Sequence, residues 1–126
     1  MIWGFFLFLK MKQDIKKIIE DNPVALATVK SDGTPHVIAV AYVKVKNNKI
    51  VITRNYMNQT LDNIKNNPNV SLAVWDEDWN GYRIDGAAEY FEEGEWFNFI
   101  KSLKENEKEP CKGAIVISVR EVVKLA

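Results

Sequence analysis

Between Val24 and Tyr42 the chain reads VALATVKSDGTPHVIAVAY, two apolar runs separated by the polar tetrapeptide Ser31-Asp32-Gly33-Thr34. So short a link leaves no room for a helical crossover, and the flanking runs pair as an antiparallel hairpin. Gly33 can take the positive φ that such turns demand, and the Asp32 carboxylate can hydrogen-bond its own backbone. Pro35 opens the second strand, where a missing N–H does little harm. Both runs are rich in Val, Ile and Ala and alternate weakly, the pattern of strands buried on much of both faces. This predicts a hairpin at the centre of the fold that also forms one wall of a ligand site.

The rest of the chain repeats the theme of short strands and short links. Met11 to Asp21 places Ile15, Ile18 and Ile19 at helical spacing, and Asn22-Pro23 ends that helix. The second strand is expected to run on through Val43 and Val45 to a turn at Asn47-Asn48, with Lys49 to Thr53 as the third. A polar link leads to a short helix carrying Leu61, Ile64 and Lys65, capped by Asn58 or Thr60 and stopped at Asn67-Pro68. Val70 to Trp75 is the fourth strand, and Asp76 to Gly81 is an acidic, aromatic turn. Tyr82 to Phe91 alternates: Tyr82, Ile84, Gly86, Ala88 and Tyr90 share one face, and a more polar face carries Arg83, Asp85 and Glu89. Glu92 to Asn106 is expected as a helix with Trp96, Phe97, Ile100 and Leu103 as its buried stripe. Ala114 to Val119 closes the domain. Six strands and two or three short helices predict a mainly β chain, an antiparallel barrel with helices at its ends.

At 126 residues the chain, 1–126, fits a single domain. Its 17 Lys plus Arg balance 17 Asp plus Glu, so no net field favours nucleic acid or an anionic membrane. Cys111 is the one cysteine, which excludes an intrachain disulfide and a cysteine-based metal site and suits a cytoplasmic protein. The opening MIWGFFLFL is too short to span a bilayer and lacks the basic region of a signal peptide. Residues 1–10 are therefore expected as an apolar extension, disordered or a mis-assigned start ahead of Met11. A membrane-surface or partner-binding tag is the alternative.

Chemistry concentrates between Thr53 and Thr60. A strand ends in Thr-Arg-Asn, a polar link follows and a helix begins, so free N–H groups and a positive dipole end favour an anion such as a phosphate. Arg54 offers a bidentate contact, and Asn58, Gln59 and Thr60 neutral donors. The plainer alternative is that Asn58 merely caps the helix and Arg54 is a solvated charge. His36 stands without a second ligand or nucleophile partner. Asp76, Glu77 and Asp78 lack the spacing of a calcium loop. Trp75 and Trp79 suit packing or the aromatic walls of a flat-ligand site. From the residues alone, the reading is a barrel with one anion-binding corner and no reaction.

The run ALATVKSDGTPHVIAVAY, then IVITRNYMNQTLDNIKNNPNVSLAVWD and YRIDGAAEYF, resembles the pyridoxamine 5′-phosphate oxidase-like, FMN-binding split-barrel proteins. The match lies in the order of the parts: Asp-Gly-x-Pro turn, Thr-ended strand, Asn-rich helix, Asn-Pro, Val-Ser-Leu and a later Arg-Ile-x-Gly. It covers roughly Pro23 to Phe91. The resemblance implies a six-stranded split β-barrel whose homodimer holds one FMN in each of two interface clefts. Val37, Ala39, Val40 and Ala41 would line the flavin with backbone groups. Thr53, Arg54 and Asn55 would approach the ribityl-phosphate, and Asn58, Gln59 and Thr60 would complete its cradle. The implied function is an FMN-dependent oxidoreductase with a small-molecule redox substrate or electron-transfer partner, and with no side chain nominated as catalytic. Its alternatives are an electron carrier or sensor without its own substrate, or a deazaflavin- or haem-binding relative. The vitamin-synthesising oxidases have Arg-Lys where Gln59-Thr60 falls, so phosphate binding would lean on Arg54 and backbone N–H groups. They also have an Arg-rich segment where this chain reads EVVKLA, which argues against pyridoxamine phosphate oxidation.

Overall fold

A computed structural model describes residues 13–125, so the expectations for residues 1–10 lie outside the described residues. Helix α1 (Gln13–Asp21) buries Ile15, Ile18 and Ile19 on one face. Asn22 closes it by donating from its side-chain amide to the Ile18 carbonyl at 2.9 Å, which satisfies one of the orphan acceptors of the last turn.

Strands β1 (Val24–Val29) and β2 (Pro35–Val40) form the expected hairpin. Gly33 takes φ 89°, and the Asp32 carboxylate accepts from both the Thr34 N–H (3.0 Å) and the Thr34 hydroxyl (2.7 Å). The second run then departs from expectation. Tyr42 adopts φ 58°, in the left-handed region that a bulky residue rarely occupies, and the strand ends at Val40. Strand β3 (Lys44–Lys46) begins afresh and turns into β4 (Lys49–Arg54) through Asn47 and Asn48, at φ 52° and 60°, as a two-residue hairpin link. The described residues therefore hold seven strands where six were expected.

That break closes the fold. The sheet runs β2-β1-β5-β6-β7-β4-β3, every pair antiparallel, with β5 spanning Asn69–Trp75, β6 Gly81–Phe91 and β7 Gly113–Lys124. Strands β2 and β3 stand at opposite edges, yet only Ala41 to Val43 join them. Such a link reaches no further than roughly 14 Å. The sheet must therefore curl until its two edges face each other, a split antiparallel barrel with helices α1, α2 (Gln59–Asn66) and α3 (Glu95–Ser102) around it. Leu26, Ile50, Ile52, Leu72, Ile84, Ile115 and Ile117 fill the interior. Val51, Ala114 and Val116 point outward and are covered by Ile100 of α3 and by Cys111.

The strands buried on both faces are thus β4 and β7, in the middle of the cover, rather than β1 and β2. The β1–β2 hairpin is an edge of the sheet, and β2 is largely exposed, with Val37 64% accessible. Its weak alternation reflects apolar residues left on the surface. The expected helix from Glu92 to Asn106 is also shorter. Gly94, at φ 90°, starts it late, and Leu103, extended at ψ 133°, stops it before a 3-10 turn at Lys104–Asn106. Of its expected stripe, Ile100 alone is fully buried, and Trp96, Phe97 and Leu103 are half-buried.

Two expectations around β6 hold. Ile84, Gly86 and Ala88 face the core, while Arg83 and Glu89 face solvent. The acidic turn before it is structural. The Asp76 carboxylate accepts from the N–H groups of Asp78 and Asn80 and from the Asn80 side-chain amide, and these bonds hold its pKa low. Trp75 and Trp79 stack on each other, centroids 6.4 Å apart.

Candidate functional site

An open groove of about 460 Å³ runs beside the break between β2 and β3. Ile38, Ala39, Val40, Ala41 and Tyr42 form one side. Thr53, Asn55, Tyr56 and Met57 form the other, with Glu109 at the margin. The sequence singled out Ala39, Val40, Ala41, Thr53 and Asn55 among these.

The β2 side offers backbone as well as apolar surface. Lys30 N–H donates to Thr34 O at 2.9 Å, which sets the phase of the ladder. Bonded pairs alternate along an antiparallel ladder, so Thr28–His36, Leu26–Ile38 and Val24–Val40 are the bonded ones. The N–H and C=O groups of Val37 and Ala39 consequently point away from β1, toward an edge that no strand among the described residues covers. Pro35, in the same phase, has no N–H to expose. The other edge is treated differently, because Val45 N–H donates to the Glu20 carboxylate at 2.8 Å.

The opposite wall is preset to donate. The Thr53 hydroxyl accepts from the Asn106 side-chain amide at 2.8 Å, leaving its own hydrogen free. The Asn55 side-chain oxygen Oδ1 accepts from the Cys111 N–H at 2.9 Å, leaving its side-chain amide N–H groups available. Cys111 is buried and takes φ 52°, and burial pushes its thiol pKa up, which makes it a poor nucleophile.

Arg54 lies where β4 runs into α2. Its Nε donates to the Met57 carbonyl (3.0 Å), Nη1 to the Tyr90 hydroxyl (3.2 Å) and Nη2 to the Asn58 side-chain oxygen (2.9 Å). All three acceptors are neutral, and among the described residues no carboxylate pairs with this guanidinium. Asn58 occupies the N-cap position of α2 but makes no capping hydrogen bond, because its oxygen is turned to Arg54. The expected cap is therefore missing, and the first-turn N–H groups stay open. Thr60, the other expected cap, sits inside the first turn at 1% exposure, its hydroxyl oxygen without a partner. Gln59 is tied along the helix to Asn63 at 2.7 Å, and Asn63 in turn donates to the buried Thr28 hydroxyl at 3.0 Å.

The structure thus brings Thr53, Arg54, Asn55, Asn58 and Thr60 to one strand-to-helix corner, with Ala39 to Ala41 across the groove and Val37 on the free edge. Sequence reasoning missed Tyr42, Tyr56, Met57, Glu109 and Tyr90. Tyr56 and Met57 carried a signal, as two large apolar residues in an otherwise polar link. Glu109 arrives from a distant loop and carried none. Among the described residues no helix is long and apolar enough to cross a membrane, and no group of three His, Cys, Asp or Glu is placed to hold a metal ion.

Comparison with known proteins follows the same outline. Residues 11–126 match the family model described as pyridoxamine 5′-phosphate oxidase. An uncharacterized protein of Methanocaldococcus jannaschii is 36% identical over 124 residues, covering 93% of this chain and 82% of that protein. Among solved structures, HupZ of Group A Streptococcus superposes with a TM-score of 0.85 at 24% identity, covering 92% of this chain and 94% of that one. An FMN-binding protein of Syntrophomonas wolfei gives 0.72 at 16% identity, covering 99% and 90%. At these identities the structures speak to the fold alone, whereas the family match spans nearly the whole chain. The chain belongs to the pyridoxamine 5′-phosphate oxidase family, with its split-barrel fold.

Proposed function

We propose that this protein binds FMN in the groove between β2 and the β4–α2 corner and works as a flavin-dependent oxidoreductase. The observation that carries the reading is the corner itself. A guanidinium held only by neutral acceptors stands beside an uncapped helix N-terminus, and both features favour a phosphate. The unpartnered Thr60 hydroxyl belongs to the same turn. Family membership and an FMN-binding neighbour of the same fold support the choice of ligand.

The residues fit that ligand along its length. Arg54 and the first turn of α2 would hold the phosphate. Thr53 and Asn55 would donate to the ribityl chain, and the free amides of Val37 and Ala39 would meet the polar edge of the ring system. When bound, the flavin supplies hydride or electron transfer. The chain supplies position, an apolar wall and excluded water.

The same reading calls for a homodimer. The groove is open along one side, and Val37, Tyr42 and Tyr56 are large apolar residues exposed around it. A second copy would cover them and complete the cleft. Fluorescence titration of FMN into wild type and Arg54→Ala tests the phosphate assignment. The variant should bind about tenfold or more weakly, the scale of a lost charged hydrogen bond. Unchanged affinity would remove Arg54 from the site.

A further inference from the structure

Tyr90, on β6, carries no role in the groove, yet two contacts tie it to Arg54. Its hydroxyl accepts from Arg54 Nη1 at 3.2 Å. The guanidinium carbon lies 5.8 Å from the ring centroid, and the Lys65 ammonium lies 5.7 Å from the same ring. The hydroxyl has one hydrogen to give, and its acceptors are Glu92 Oε2 at 3.1 Å and the Lys112 carbonyl at 3.3 Å. Tyr90 is thus bonded on one side to Glu92 and the Lys112 carbonyl, and on the other it holds Arg54.

The reach across the sheet depends on a glycine. Arg54 on β4 pairs with Gly113 on β7, while Tyr90 on β6 pairs with Ile115. A Cβ on Gly113 would fall on the hydroxyl and ring of Tyr90. Only a residue without a side chain there lets the Tyr90 ring lie over β7 and touch Arg54.

We propose that Tyr90, with Gly113 making room for it, is a positioning residue that aims Arg54 at the ligand's phosphate and so sets the preference for FMN over unphosphorylated riboflavin. The inference rests on the FMN reading of the groove. Arg54 has two further anchors, the Met57 carbonyl and Asn58, but both lie on the link between β4 and α2 rather than on the sheet. Tyr90 is the anchor on the rigid sheet, and a guanidinium aimed from a fixed platform loses less freedom on binding. Burial also raises the Tyr90 pKa, so the hydroxyl stays protonated and able to bridge Arg54 to its acceptors.

The test compares FMN and riboflavin affinities by fluorescence titration for wild type, Tyr90→Phe, Gly113→Ala, Arg54→Ala and the Arg54→Ala/Tyr90→Phe double variant. Tyr90→Phe keeps the ring and removes only the hydroxyl. It should weaken FMN by about fivefold to tenfold and leave riboflavin within about twofold. Gly113→Ala, which displaces the end of the Tyr90 side chain rather than backbone, should do the same. In the Arg54→Ala background Tyr90→Phe should cost nothing more, since the group it positions is gone. Equal losses for both ligands would overturn the proposal by making Tyr90 a packing residue, and so would an undiminished FMN loss in the Arg54→Ala background. Wild type that binds neither flavin would defeat the FMN reading itself, a result distinct from either.

Discussion

Thr60 places a hydroxyl in the first turn of α2 where nothing accepts or donates to it. An unpaired buried polar group costs on the order of 1–3 kcal/mol. Thr60→Val keeps the shape and removes the group. Urea denaturation should show the variant more stable by about 1 kcal/mol. A loss of stability would mean the hydroxyl is satisfied. Arg54 and Asn58 make the same point in another form. Their residue types and spacing were legible as an anion corner, but a cap and an open N-terminus need the same residues. Only the direction of the Asn58 oxygen, toward Arg54 rather than the helix, separates the two. Glu109 and Tyr90 were not legible, because sequence spacing carries no trace of a contact that the barrel's closure creates.

The elements were legible where turn chemistry was strong and misread where one residue overrode a pattern. Asp32-Gly33 and Asn47-Asn48 announced their hairpins. Tyr42 did not announce its left-handed backbone, and with it went the division of β2 from β3. Gly86 on β6 was legible as a core-facing residue, and the structure adds why it must stay small. A Cβ there would strike the Ser118 carbonyl and come within 2.8 Å of the Ile117 side chain, on backbone that cannot yield. Gly86→Ala should therefore lose about 2 kcal/mol or more in a denaturant melt, and a neutral result would show β7 to be more pliable than this.

Strand β3 is held to the 3-10 turn by an ion pair. Lys44 Nζ lies 2.8 Å from Glu105 Oε1. The Lys44 ammonium holds the Glu105 carboxyl below its ordinary 4.5, and Glu105 in turn raises Lys44 above its ordinary 10.5. A lowered carboxyl pKa stabilises the fold fully above its unfolded value, and that contribution is lost as pH falls through the folded one. A raised lysine pKa contributes fully below its unfolded value and is lost as pH rises through the folded one. The pair should therefore contribute about 1 kcal/mol at neutral pH and fade in acid. Lys44→Met should be the less stable chain at neutral pH and converge with wild type in acid. A difference that persists unchanged in acid would assign it to packing.

At the scale of the molecule, the edges of the sheet differ in their finish. Val45 N–H on the β3 edge is covered by Glu20, whereas among the described residues no strand covers the β2 edge, which is flanked by Val37, Tyr42 and Tyr56, the last 72% exposed. An edge so exposed calls for a cover, and on the proposed reading a second copy with its flavin would provide one. Gel filtration should show wild type at dimer mass and Val37→Glu shifted toward monomer with loss of FMN. A wild-type monomer at all concentrations would leave the groove with a single wall. The fold class was legible because hairpin links exclude a parallel sheet. The exposure of β2 was not, because its apolar face reads in sequence like a buried one.

The most direct measurement is the visible absorption spectrum of the purified protein, recorded after adding FMN and desalting. The predicted result is a pair of flavin bands that travels with the protein and is lost in Arg54→Ala. A colourless protein, or a haem or deazaflavin spectrum in place of the flavin bands, would contradict an FMN site at the β4–α2 corner.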